Sequence, residues 1–190
     1  MHEIEPYYHW LKYYDSSLDS QSPFHGKEYN YDLYSESIYG YYIDPAWDSF
    51  GSETLYAKIL FADYNEGYVI MEFIGEWNDA INNDIMTLKR SLIEHLQSEG
   101  ISRFILIGEN VMNFHGSDDS YYEEWYQEVH DEDGWIVMLG FPAHVISEWR
   151  KYHLDRYTES GEDFQVKNWR TLTAWQVYDL LRTRFQRRLN

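Results

Sequence analysis

A chain of 190 residues with a formal charge of −18 and no cysteine has room for one domain of ordinary size plus extensions. The charge disfavours nucleic acid and anionic membranes as partners and favours basic protein surfaces and cations. The missing cysteines exclude thiol catalysis, zinc–thiolate sites and a disulfide framework.

The first residues, "MHEIEPYYHW", lack the basic and apolar regions of a secretory signal. No apolar run approaches the roughly 18 residues of a membrane span. The expectation is a soluble, acidic, bacterial-type protein of the cytoplasm. Aromatic content is high, with 19 tyrosines, where a disordered chain of this charge would be aromatic-poor. Residues 1–52 show no clean period. "YYHWLKYY" offers one or two helical turns, and "HGKEYNYDLYSESIYGYYIDPAW" is tyrosine-dense with Gly26, Gly40 and Pro45 as breakers. This part is expected to form an aromatic arm packed on the main domain, its tyrosines and Trp10 too apolar to stay solvated.

The pattern sharpens after Glu53. "LYAKILFA" predicts a strand with Leu55, Ala57, Ile59 and Phe61 on one side. After the turn "DYNEG", "YVIMEFIG" predicts a central strand that closes an antiparallel hairpin. Glu72 within it is either an interior carboxylate of raised pKa or an outward one. A helix capped by Asn83 or Asp84 follows, with Ile85, Leu88, Leu92, Ile93 and Leu96 inward and Lys89, Arg90, Glu94 and Gln97 outward. Gly100 ends it. "RFILIG" and "WIVMLG" are short apolar runs of the kind buried in parallel sheets. Between them a helix runs from near Asp118 to about Val129. "HVISEWRKYHL" predicts a third helix. After the polar loop "DRYTESGEDFQ", a last helix presents Trp175, Tyr178, Leu181 and Phe185 on one face. The fold class is α/β, a four-stranded mixed sheet with elements in the order β-β-α-β-α-β-α, plus the arm (1–52) and a closing loop and helix (159–190).

This order resembles the STAS domain, the fold of anti-sigma-factor antagonists and SpoIIAA-like proteins, over about residues 55–155. In "YVIMEFIGEWNDAINNDI", Gly75, Glu76, Trp77 and Asp79 occupy the family's turn before its first helix. "RFILIGENVMNFHGSDDS" is similar to its next strand and serine-bearing loop. The resemblance implies a non-enzymatic, regulatory or protein-binding module without a cofactor. It makes Phe114, His115, Gly116, Ser117, Asp118, Asp119 and Ser120 the partner-binding loop. It also places Ser117 near the family's phosphoacceptor, without the preceding aspartate and followed by two acids.

The residues of "NFHGSDDSYYEEWYQEVHDEDGW" admit a plainer account. Asp118 and Asp119 favour the positive end of a helix dipole, and Ser117 or Asp118 can cap it. Tyr121, Trp125 and Val129 would face the sheet, and the glutamates solvent. Two alternatives stand beside the protein-binding reading. One is a binder of a small apolar or aromatic ligand, held in a pocket between sheet and arm. The other is a metal-assisted hydrolase using His115, Asp118 and Asp119. The basic "RTRFQRRL" can dock on an acidic surface, the protein's own or that of a second copy in a homo-oligomer.

Overall fold

A computed structural model of the chain describes residues 4–189. The first three residues of the arm and the start expected to carry no signal therefore lie partly outside the described residues. A four-stranded mixed sheet forms the centre, in the order β3 (Leu55–Asp63), β4 (Tyr68–Asn78), β5 (Arg103–His115), β6 (Trp135–Leu139). The preceding β1 (Ser37–Ile38) and β2 (Tyr41–Tyr42) form a small ribbon within the arm. β3 and β4 pair antiparallel, while β4–β5 and β5–β6 pair parallel. Val69 lies opposite Phe104 and Ile70 opposite Ile105, as the two apolar runs require. β4 is buried along its whole length, which is why its sequence hardly alternates.

Three helical segments cover one face. A single turn, α1 (Asp79–Asn82), leads into a continuous helix made of α2 (Asp84–Leu88), a π-helical turn at Lys89–Ile93 and α3 (Glu94–Ser98). α4 (Ser120–Asp131) crosses from β5 to β6, and α5 (Ala143–Lys151) follows β6. Both crossovers step the same way along the sheet, so their helices fall on the same side. There Leu88, Leu92, Trp125, Val129 and Trp149 bury against Val69, Met71, Phe104 and Leu106.

The other face is closed by chain remote in sequence. Trp10 from the arm, Phe164 and Trp169 from the loop, and Val177, Tyr178 and Leu181 from α6 (Ala174–Leu189) pack on Tyr68, Ile70, Ile105 and Val137. Tyr178 stacks on Tyr68 with ring centres 4.0 Å apart. Both sheet edges are covered. The backbone of Asp48 pairs with Ala57 of β3, and that of Glu159 bonds to Ile136 and Met138 of β6, which interrupts each edge as a template.

The structure corrects four readings of side-chain direction. A bulge between Ile59 and Phe61 shifts the phase of β3, so Phe61 joins the second face and Ala62 takes its place on the first. The π turn rotates Lys89 inward. It is fully buried, with Nζ 3.3 Å from Glu94, 3.1 Å from Glu124 and 3.0 Å from Glu128. On α4 the buried row is Tyr122, Trp125 and Val129, while Tyr121 sits at the margin beside Arg90. Trp175 is exposed, and Val177 and Ala174 share the inner face of α6 with Tyr178 and Leu181. Within the arm, Tyr7 and Tyr14 pack partly buried against the two core faces. Trp10, Phe24, Ile38, Ile43, Trp47 and Phe50 are buried, whereas Tyr8, Tyr13, Tyr31, Tyr34, Tyr39, Tyr41 and Tyr42 are exposed.

Candidate functional site

The loop singled out by sequence lies at the carboxyl end of β5, the end of a parallel strand where ligands of open α/β sheets collect. Its side chains diverge. Phe114 is buried against Trp149 with ring centres 4.7 Å apart. Gly116 lies so close to Tyr152 that a Cβ there would come within 2.5 Å of the ring. His115 is exposed, its Nε2 3.7 Å from Glu76. Asp118 accepts from the Ser120 backbone N–H and hydroxyl, and these bonds hold its carboxyl below the usual range. Asp119 is the N-cap residue of α4 without a side-chain cap bond. It accepts instead from the Tyr157 hydroxyl at 2.8 Å, which pushes that phenol up to about 12. Ser117 is half-buried and Ser120 exposed. His115, Asp118 and Asp119 thus serve three different partners. Among the described residues no group of three or more His, Asp or Glu could hold a metal ion.

Beneath this loop the end of β4 carries buried acids. Asp79 Oδ1 accepts from the Trp77 indole at 3.1 Å and the Ile85 backbone at 2.9 Å, and Oδ2 accepts from the Tyr122 hydroxyl at 2.6 Å. Burial outweighs these bonds and raises Asp79 to about 7. Asp84 is fully buried, accepts from the Asn78 backbone at 2.7 Å, and is likewise raised by burial. Asn78 donates to Glu76 at 2.8 Å. Asp79 and Asp84 thus tie the β4 turn to the first helix and to α4. On the opposite face Glu72 proves to be the interior carboxylate. It accepts from the Tyr7 backbone at 2.8 Å, with Arg170 3.6 Å away, and burial raises it to about 7.

The concavity with the chemistry of a binding site lies elsewhere, between the arm and the outer edge of β3. It is a cavity of about 410 Å³ walled by Tyr7, Tyr8, Tyr14, Tyr29, Tyr31 and Tyr34, with Leu11, Ala46 and Ile59 adding apolar surface. Small-molecule sites commonly span about 300–1,000 Å³ and combine apolar walls with a few fixed polar groups. The polar groups here are Glu5, Asp15, Asp44 and Lys58. Lys58 leaves β3 at the side away from the main core. Its Nζ donates to the Tyr29 hydroxyl at 2.7 Å, lies 3.1 Å from Asp48 Oδ2 and sits 4.0 Å from the Tyr29 ring centre. Burial pulls its pKa down while Asp48 opposes the shift. Tyr29 donates in turn to Asp48 Oδ1 at 2.8 Å, and burial raises its pKa, with the Asp48 charge adding to the effect. Lys27 closes the group, 2.7 Å from the same oxygen. The fully buried Asp48 thus braces the wall of the cavity. On the arm side, Tyr14 donates to Asp19 at 2.8 Å, and the Tyr64 hydroxyl donates to the same oxygen at 2.7 Å.

Sequence reasoning named the place, between sheet and arm, but none of these residues individually. The legible signal was tyrosine density without a period. What it lacked was the path of the arm, which brings residues 5–15 and 29–46 to the same edge of β3. No family model matches the chain, and a search of curated proteins finds no match.

Proposed function

We propose that the protein is a non-enzymatic binding module that takes a small ligand with an apolar or aromatic body in the tyrosine-walled cavity. The observation that carries this reading is the cavity itself. Six tyrosines surround about 410 Å³ beside a braced lysine of lowered pKa, and perturbed groups in an aromatic concavity are the usual mark of a ligand site. Tyrosine walls offer large contact area at small cost in side-chain freedom. The neutral dye N-phenyl-1-naphthylamine tests the proposal. One saturable site is expected, and it is lost in Ala46→Phe, which fills the cavity while the cooperative thermal melt persists. Binding that never saturates, or that is unchanged in Ala46→Phe, rejects it.

A second reading keeps the STAS-like, protein-binding role and a cytoplasmic setting. It is favoured by the exposure of His115, Asp118 and Ser120 at the carboxyl end of β5, and by an edge hairpin followed by two parallel crossovers. A basic protein partner suits the chain's charge of −18. Asp118→Lys together with His115→Ala would alter capture of such a partner and leave dye binding intact. No helix among the described residues is long and apolar enough to cross a membrane.

A further inference from the structure

From the electrostatics of the same cavity we infer that its ligand is an organic cation, an ammonium group carried on an apolar body; the inference rests on the cavity being a binding site. Three carboxylates, Glu5, Asp15 and Asp44, line it against a single cation, Lys58. That cation is already engaged. Its Nζ lies 3.1 Å from Asp48 and within hydrogen-bonding distance of the Tyr29 hydroxyl. Lys27 and Lys58 share Asp48, so the trio keeps one net positive charge, and the three lining carboxylates outnumber it. The aromatic walls add to the same sign, since the face of a tyrosine ring is the negative part of its quadrupole and attracts an ammonium group within about 6 Å. The wall already works this way, because Lys58 sits over the Tyr29 ring at 4.0 Å. At longer range a chain of −18 concentrates cations and repels anions at its surface.

An anionic ligand would meet three lining carboxylates and one lysine already shared with Asp48 and the Tyr29 hydroxyl. A cation meets the opposite balance. Asp44 is held in place as an acceptor, its Oδ1 taking the Ala46 N–H at 2.8 Å and its Oδ2 facing the Tyr34 hydroxyl at 3.4 Å. Asp15 is similarly fixed by the Ser17 N–H and hydroxyl. Two of the three charges that would meet the ammonium group, Asp15 and Asp44, are therefore preorganised, which limits the ordering cost of binding.

Three probes of closely similar size separate charge from shape: phenyltrimethylammonium, its neutral isostere tert-butylbenzene, and the anion phenylphosphonate. Each is titrated into the full chain and followed by NMR. The cation is expected to bind about tenfold or more tighter than the neutral isostere, and the phosphonate not to bind. In Glu5→Gln/Asp15→Asn, which keeps the hydrogen-bond acceptors, cation binding is expected to weaken about three- to tenfold with the neutral probe unaffected. Equal binding of the cation and the neutral isostere, or preferred binding of the phosphonate, overturns the inference and leaves the cavity as a binding site. Absence of binding by all three, together with failure of the dye, overturns both. Cation binding unchanged in the double variant overturns the assignment to this cavity.

Discussion

The Tyr122 hydroxyl donates to Asp79 Oδ2 at 2.6 Å, joining the first turn of α4 to α1, the turn that follows β4. The bond is buried on both sides, and Asp79, raised by burial to about 7, holds a proton in the folded state through a range where the unfolded chain has lost it. Glu72 behaves alike on the other face. The folded state therefore binds more protons between the ordinary carboxylate range, near 4, and about 7. Stability contributed by these two groups is complete at low pH and is lost as pH rises through 7. Urea midpoints should fall between pH 5 and pH 8, and Asp79→Asn should flatten that fall by an amount on the order of 1–3 kcal/mol. A variant whose pH profile parallels the wild type would show that Asp79 is ionised throughout.

Lys89 is buried among three glutamates that are each about 40% exposed. Lys89→Met keeps the volume and removes the cation, so Glu128 loses its ion pair while Glu94 and Glu124 keep Arg90 beside them. The expected loss is about 1–3 kcal/mol, less than for a wholly buried pair. Because Glu128 is partly solvated, 1 M salt should recover a good part of that loss. Urea unfolding at low and high salt reads both quantities.

Two glycines should respond very differently to alanine. Gly75 has φ +118°, and a Cβ there would lie 2.1 Å from the Thr54 carbonyl oxygen. Backbone strain and overlap with fixed backbone together should cost on the order of 3 kcal/mol or more. At Gly116 the obstruction is the ring of Tyr152, an exposed side chain that can move aside. Gly116→Ala should cost about 1 kcal/mol. Thermal melts of the two variants should therefore separate widely.

Asp118 and Asp119 anchor the start of α4 through Ser120 and Tyr157. Their joint replacement by alanine should lower stability by about 0.5–2 kcal/mol. A chelator should leave the melting of wild type and variant unchanged, since the two carboxylates face different partners. A chelator effect on the wild type that disappears in the variant would restore the metal alternative.

Much of the sheet was legible because its signals are local. "YVIMEFIG" is apolar along its length since β4 is buried on both faces, and the five residues "DYNEG" leave only a hairpin. The helix stripe from Ile85 to Leu96 was equally plain. What stayed hidden depends on one-residue changes of phase or on contacts distant in sequence. The bulge after Ile59 and the π turn at Lys89–Ile93 each insert a residue without any composition cue. Pairing of Tyr7 with Glu72, or Trp10 with Leu172, joins residues separated by 65 and 162 positions. The cavity is of this second kind, since Tyr8, Tyr34 and Lys58 are brought together only by the course of the arm. The stretch Phe114–Ser120 was expected to be one loop whose residues act together, but Phe114 and His115 end β5 and Ser120 begins α4. The structure gives them separate tasks.

The most direct test of the central claim is chemical-shift mapping of phenyltrimethylammonium and N-phenyl-1-naphthylamine on the isotopically labelled chain. The predicted result is a saturable shift confined to the cavity, at Tyr8, Leu11, Tyr29, Tyr34, Ala46 and Lys58, with Phe114–Ser120 undisturbed. Saturable shifts centred on Phe114–Ser120, or no saturable shifts at all, would contradict it.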